Sequence, residues 1–228
     1  MPTGTELLLW IIMILSNAFY AMSAPFLPVI FEQKSISLDY VGVVFASFSV
    51  ALIIFSPMVT GWIEKFGQPN LLGFGLGLMG VSTFAFAYAM DFEEEKYVIG
   101  VSLVLRFIQG IAGAILNTAS YSFASLLFPN KHKLESAIQM LEATASLGLI
   151  LGPIIGSSIY TWLGFKGAFV LLGVALIPLA IVMNCIFVKV RNDSVEEEQL
   201  LEPLLADGNR AKSAMPPSIG SLEDSASE

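Results

Sequence analysis

Two charged side chains stand alone in long apolar stretches. Arg106 is the only charge from Tyr97 to Asn130, and Glu142 the only one from Ser136 to Phe165. Arg106 opens a polar series with Gln109, Gly113, Asn117 and Ser120, at steps of three and four. A helix gathers such a series on one face. A guanidinium in hydrocarbon is costly and turns toward protein or a water-filled cavity. Here it would pair with an anion or a carbonyl, or tie neighbouring helices together, and the residues leave both roles open. Glu142 would take up and release a proton, as proton coupling requires, or serve as a hydrogen-bonded structural carboxyl. Arg106 sits about nine residues into its segment and Glu142 about eight, roughly 13 Å and 12 Å deep at about 1.5 Å per residue. The depths are counted from opposite ends, so a direct ion pair is not implied. A third segment brings Ser16, Asn17, Tyr20 and Ser23 within about two turns, where they would line a pore or act as interhelical glue.

Other chemistry is absent from the sequence. His132 lies between Lys131 and Lys133 and reads as a solvated residue rather than a ligand. Cys185 is the single cysteine, so a disulfide framework is excluded. No metal-ligand set, cofactor-binding motif, nucleic-acid motif or soluble-enzyme motif appears. No metal, cofactor, nucleic acid or enzymatic activity is expected.

The segments that position these residues are membrane spans. The chain has 228 residues, 55% hydrophobic and 13% charged. A soluble surface needs more charge than that. Leu7–Phe31, Tyr40–Ile63, Phe66–Met90 and Gly167–Val188 carry no charge at all. Each run reaches or exceeds the roughly 20 residues that cross a bilayer as a helix. Barrel strands, about ten residues of alternating polarity, do not fit. The expectation is an all-α integral membrane fold of six transmembrane helices, at about 7–31, 40–63, 71–90, 97–126, 134–160 and 168–190, forming one bundle over 1–190. Pro25 and Pro28 predict a bent or broken end to the first span. Trp162–Gly167 reads as a turn with an interfacial aromatic. The first run is too long for a signal peptide.

From Arg191 onward nine acids face three bases. The net charge of −8 is therefore mostly a property of the tail. Residues 191–228 are expected to be a disordered acidic tail or central loop. Lys65, Lys131, Lys133, Lys189 and Arg191 fall on the side of the termini, and Lys34, Lys96 and Lys166 on the other. That bias predicts cytoplasmic termini. Glu196, Leu200 and Leu201 form an acidic dileucine pattern. It resembles sorting signals toward vesicular, endolysosomal or vacuolar membranes, and reads equally as part of a solvated linker.

Glycines mark close helix packing. Gly73 and Gly77 are spaced by four in the third span, and Gly148, Gly152, Pro153 and Gly156 stripe the fifth. Three segments together resemble the major facilitator superfamily. Gly61, Glu64, Lys65 and Gly67 are similar to the family's gating-loop signature after the second helix, with Gln68 and Pro69 where a basic pair is usual. Arg106-Phe-Ile-Gln109-Gly110-Ile-Ala-Gly-Ala114 resembles the helix-four motif. Gly148-x-x-x-Gly152-Pro153-x-x-Gly156 resembles the helix-five motif of proton antiporters. Within the family, Ala24-Pro-Phe-Leu-Pro28, Leu127-Phe-Pro-Asn130 and Leu141-Glu142 resemble the vesicular amine and polyamine transporter branch. Monoamine carriers usually place an acid before the asparagine of helix one, whereas Ser16 precedes Asn17 here.

The resemblance implies one half of a twelve-helix fold, with alternating access about a midplane site. It implies proton-coupled antiport of a small organic solute such as an organic cation or polyamine. The pathway residues would be Asn17, Tyr20, Arg106, Gln109, Asn117 and Glu142. The expected partners are the lipid bilayer, a small-molecule substrate and protons, and a second six-helix half or an identical copy. A fragment of a longer transporter and a non-transporting membrane interaction protein are the competing readings.

Overall fold

In a bilayer every peptide group must find its hydrogen bond within the chain, so long uncharged runs become helices. The computed structural model describes residues 4–128 and 130–213 and is helical along nearly all of them, with no strand among the described residues. The elements are α1 (Gly4–Met22), α2 (Phe26–Gln33), α3 (Asp39–Phe66), α4 (Gln68–Ala89), α5 (Glu95–Leu127) and α6 (Lys131–Ser213). Five stretches are long and apolar enough to cross a membrane: Thr5–Gln33, Asp39–Phe66, Gln68–Ala89, Glu95–Leu127 and Lys131–Ile186. The chain is a multi-pass membrane protein.

The first crossing contains the expected break. Proline has no N–H to give the preceding turn, and α1 stops just before Pro25. The carbonyl of Ser23 then accepts from the N–H groups of Phe26 at 3.2 Å and Leu27 at 3.1 Å. The backbone stays satisfied through the bend, and α2 completes the crossing.

The last stretch, 56 residues long, makes two crossings, which the packing partners show directly. Arg106 of α5 lies by Tyr20 of α1, whereas Ala124 and Trp10 line one cavity. Gln109 pairs with Thr83 of α4, and Ser122 with Gln68. So α5 runs antiparallel to both α1 and α4, and these two point the same way. Before Gly164, α6 runs with α1: Gly148 lies against Ile14, and Gly156 against Met22. After Gly164 it runs against α4: Phe169 packs on Phe86, Gly173 on Phe84, and Asn184 Nδ2 donates to the carbonyl of Pro69 at 3.3 Å. The chain reverses at Gly164, whose φ of 67° and ψ of −178° interrupt the helix. Six crossings result.

Two connections are tighter than the sequence suggested. The loop expected over 64–70 shrinks to Gly67, and the turn expected over 162–167 shrinks to Gly164. Glu64 and Lys65 are exposed residues of the last turn of α3, where charged ends reach the interface. Pro69 fits the first turn of α4, where its missing N–H is harmless.

One end of the bundle is closed by an apolar cluster drawn from five crossings. It includes Phe26, Leu27 and Phe31 of α2, Val44 of α3, Phe86 of α4, Val98 of α5 and Phe169 of α6. Phe165 and Phe169 stack on each other at 4.5 Å just beyond the reversal. Lys166 bonds Asp91 and lies 4.5 Å from the ring centroid of Tyr88.

Contacts divide the chain into Met1–Phe187 and Val188–Glu228. The described part of the second unit is helical to Ser213. Glu, Gln, Leu and Ala, which fill much of 196–206, are strong helix formers. Residues 214–228 of the expected tail lie outside the described residues.

Gly67 has φ 79° and ψ 151°, a region that side-chain-bearing residues occupy at a cost of about 1–3 kcal/mol. Gly61, by contrast, is helical with open space around the position of a Cβ. Gly67→Val should lower the melting temperature of the purified protein in detergent. Gly61→Ala should leave it unchanged or raise it slightly. Equal melts for both variants would show that the single-residue turn carries no such constraint.

Candidate functional site

The polar face of α5 points into the bundle. Arg106 is 1% exposed and Gln109 3%. The guanidinium lies between two rings, 5.0 Å from the centroid of Phe45 on α3 and 5.1 Å from that of Phe86 on α4. Its Nη1 donates to Gln109 Oε1 at 3.0 Å, and a longer contact of 3.5 Å reaches the carbonyl of Tyr20 on α1. Gln109 Nε2 passes the chain on to Thr83 Oγ1 of α4 at 3.3 Å. One side chain therefore touches α1, α3 and α4 as well as its own helix. Nε and Nη2 of Arg106, Oγ of Ser102 and Ser120, and Oδ1 of Asn117 are buried without a protein partner.

Asn17 and Tyr20 of α1 are half-buried; the carbonyl of Tyr20 lies by Arg106, and Asn17 lies against Gly148 of α6. Asn17 Nδ2 donates back to the carbonyl of Met13 at 2.9 Å. The Tyr20 ring is 4.2 Å from that of Phe48. The first contact lies within α1 and the second joins α1 to α3.

Glu142 lies elsewhere. It is exposed on α6 and accepts a hydrogen bond from the Tyr121 hydroxyl of α5 at 2.6 Å. Its neighbour Leu141 shares a cavity wall with Leu9 and Trp10 of α1, whereas Arg106 lies by Tyr20. Ten residues of α1 separate the two levels, roughly 15 Å along a helix. The structure does not bring the two intramembrane charges together. Between them on α5 lies Asn117, whose Oδ1 is buried.

The three glycines of the antiporter-like motif have a physical reason. A Cβ at Gly148 would run into the carbonyl oxygen of Ile14, one at Gly152 into that of Ala18, and one at Gly156 into Met22. The backbones of α1 and α6 thus touch for two turns, and Pro153 is half-buried beside this seam. Glu64, Lys65 and Gly61 of the gating-loop motif are exposed. Lys65 lies 5.4 Å from the ring of Phe66. Gln68 Nε2, where the family has a basic residue, bonds Ser122 Oγ at 3.3 Å and ties this turn to α5. Glu196, Leu200 and Leu201 fall on the helical continuation of α6, with side chains outside the described set.

Sequence reasoning missed Tyr121, Phe45, Phe86 and Thr83. Tyr121 had a signal, being four residues beyond Asn117 on the same helical face. The two phenylalanines had none, because ring–cation contacts join residues far apart in sequence.

The Major Facilitator Superfamily profile matches residues 9–214. The chain is similar to the MFS-type transporter SLC18B1 of Homo sapiens, 26% identical over 163 residues, covering 70% of this chain and 35% of that protein. It is similar to Multidrug resistance protein 1 of Bacillus subtilis (strain 168), 27% identical over 148 residues, covering 63% and 36%. It is also similar to the vesicular acetylcholine transporter of Homo sapiens, 26% identical over 132 residues, covering 58% and 24%. The chain spans about 35% of the length of the first of these relatives.

The surroundings of Arg106 separate its charge from its volume. Arg106→Ala opens a cavity and leaves Gln109 short of a donor, a loss on the order of 3 kcal/mol. Arg106→Met fills the same space without a buried charge and should be milder. Melting in detergent should fall in the order wild type or Met, then Ala. An alanine variant as stable as wild type would remove Arg106 from the framework of the bundle.

Proposed function

This chain belongs to the Major Facilitator Superfamily, and we propose that its six crossings form one bundle of an alternating-access carrier that exchanges a small organic solute for protons. The carrying observation is the polar column inside an otherwise apolar bundle. It runs along α5 from half-buried Tyr121, bonded to exposed Glu142, past Asn117 to Gln109 and Arg106, which lies by the carbonyl of Tyr20. Polar groups in hydrocarbon are retained where they line a path or hold one together. Arg106 holds, because rings and helix backbones enclose it. Glu142 exchanges, because it stands open on the face of α6.

The relatives support the direction of this reading. Their names include a vesicular acetylcholine transporter and a multidrug resistance protein. An organic cation or polyamine is the substrate class that fits a carboxylate as the exchanging group. Protonation of Glu142 would release the cation, and deprotonation would admit it. The glycine seam between α1 and α6 gives the bundle a smooth backbone contact along which the two helices can shift. A rocking carrier needs a second bundle to move against, supplied by a further six crossings or by a second copy. The termini face the cytoplasm in this reading, and the membrane is vesicular, endolysosomal or vacuolar.

Proteoliposomes with an imposed proton gradient test it. Radiolabelled spermidine and tetraethylammonium should accumulate in wild-type vesicles against the proton gradient, and collapse of the gradient should abolish this. Glu142→Gln should lower the rate by roughly tenfold or more, the loss that follows from removing about 1.4 kcal/mol of interaction. Gradient-independent rates, or no flux from this chain with or without a matching half, would overturn the proposal.

A further inference from the structure

A cavity of about 530 Å³ opens between the start of α1, the end of α5 and the start of α6. Its walls change character with depth. Glu6 lies in the first turn of α1, Lys133 in the first turn of α6, and Phe128 caps the end of α5. These three therefore stand at the mouth, at the end of the bundle. Trp10 lies one turn further in on α1, the level at which indole rings meet lipid headgroups. Leu141 is eight residues beyond Lys133, roughly 12 Å along the helix at about 1.5 Å per residue. All the charge on the lining, one acid and one base, is thus at the mouth, and apart from Gln139 the wall below it is apolar.

That order is the order of the bilayer itself, polar at the interface and apolar beneath. It suits an amphiphile lying along the helices with its head at the mouth. An anionic head alone would meet Glu6, and a cationic head alone would meet Lys133. A head that carries both signs satisfies both residues with charge-assisted hydrogen bonds. The volume is that of a small-molecule site, enough for a headgroup and the first carbons below it. The rest of a chain has a path. Met140, Leu147 and Leu151 are exposed and recur at steps of seven and four, which puts them on one strip of α6 running away from the cavity.

We propose that this cavity holds a zwitterionic phospholipid of the surrounding bilayer, phosphatidylethanolamine, with its phosphate at Lys133 and Ser136 and its primary ammonium at Glu6. Its glycerol and upper chain carbons lie against Trp10 and Leu141. Ethanolamine fits better than choline because a primary ammonium brings three N–H donors to the carboxylate and a quaternary one brings none. The lipid is a resident of the site and not cargo, so the assignment stands apart from the transport reading.

Native mass spectrometry of the 228-residue chain in mild detergent tests it, with phosphatidylethanolamine, phosphatidylcholine and phosphatidylglycerol of identical chains. Wild type should retain one phosphatidylethanolamine about tenfold more tightly than either of the others. Lys133→Gln should weaken that retention about tenfold. Glu6→Gln should erase the preference over phosphatidylglycerol, whose head has no cation. Both residues stand at the end of the bundle, so the melting temperature without added lipid should stay at the wild-type value. Ala137→Phe narrows the cavity with both charges in place and should also lower retention, which keeps the test decisive if a charge variant fails to fold. Glycerophosphoethanolamine, the same head without chains, should not displace the lipid at equal concentration. Displacement would assign the site to a soluble phosphoamine and overturn the lipid assignment. So would equal retention of the three lipids by wild type, undiminished retention in Lys133→Gln or Ala137→Phe, or a preference over phosphatidylglycerol that survives Glu6→Gln.

Discussion

The bundle is organised around a buried guanidinium. Arg106 reaches the carbonyl of Tyr20, the amide of Gln109 and the faces of Phe45 and Phe86. Those partners belong to α1, α5, α3 and α4. A charge in hydrocarbon cannot be left between helices that drift apart, because each lost partner exposes it to lipid. The cost of its burial therefore becomes a penalty on any arrangement that separates these four helices. The two rings matter as much as the hydrogen bonds. They let the cation lie in an apolar interior without a carboxylate, leaving the one acid of the central α6 segment available for other chemistry.

Much of this was legible in the sequence because bilayer thickness is a hard ruler. Uncharged runs such as Tyr40–Ile63 must cross, Pro25 must interrupt the first crossing, and a polar series from Arg106 to Ser120 must share a face. The glycines at 148, 152 and 156 announced a close seam, and the structure supplies its partner, α1. Tight turns were harder to read. Charged Glu64 and Lys65 look like loop residues, yet a helix end at the interface carries them easily. The acidic stretch 196–206 carries two signals at once. Low hydrophobicity argues against burial and says nothing against helix, for which Glu, Gln, Leu and Ala are well suited.

The site was legible in its members and not in its geometry. Arg106 and Glu142 could be singled out as lone charges, but sequence counts gave each a depth only from its own end. Helix contacts place them on one axis. Trp10 and Tyr20 of α1 serve as marks, and the two charges come out roughly 15 Å apart. Tyr121 shares a helical face with Asn117, but a tyrosine near the end of an apolar helix is also ordinary at a membrane interface, so the signal did not stand out. Only the hydroxyl contact across helices gives it a role.

That separation has a consequence for how one bundle could both stay intact and do work. If Arg106 and Glu142 were paired, protonating the glutamate would strip the guanidinium of its counter-charge, and every exchange event would destabilise the framework. Instead the arginine is held by rings and dipoles that do not titrate, and the glutamate is tethered by one phenol on the exposed face of α6. Its charge can change while the partners that hold α1, α3, α4 and α5 together remain the same. The glycine seam follows the same logic. It joins α1 to α6 through backbone contact, which has no charge to lose, so the helix that carries Glu142 stays attached whichever protonation state it holds. On the proposed reading, stability and exchange therefore fall to different residues at different depths, Arg106 among the rings and Glu142 beside Tyr121.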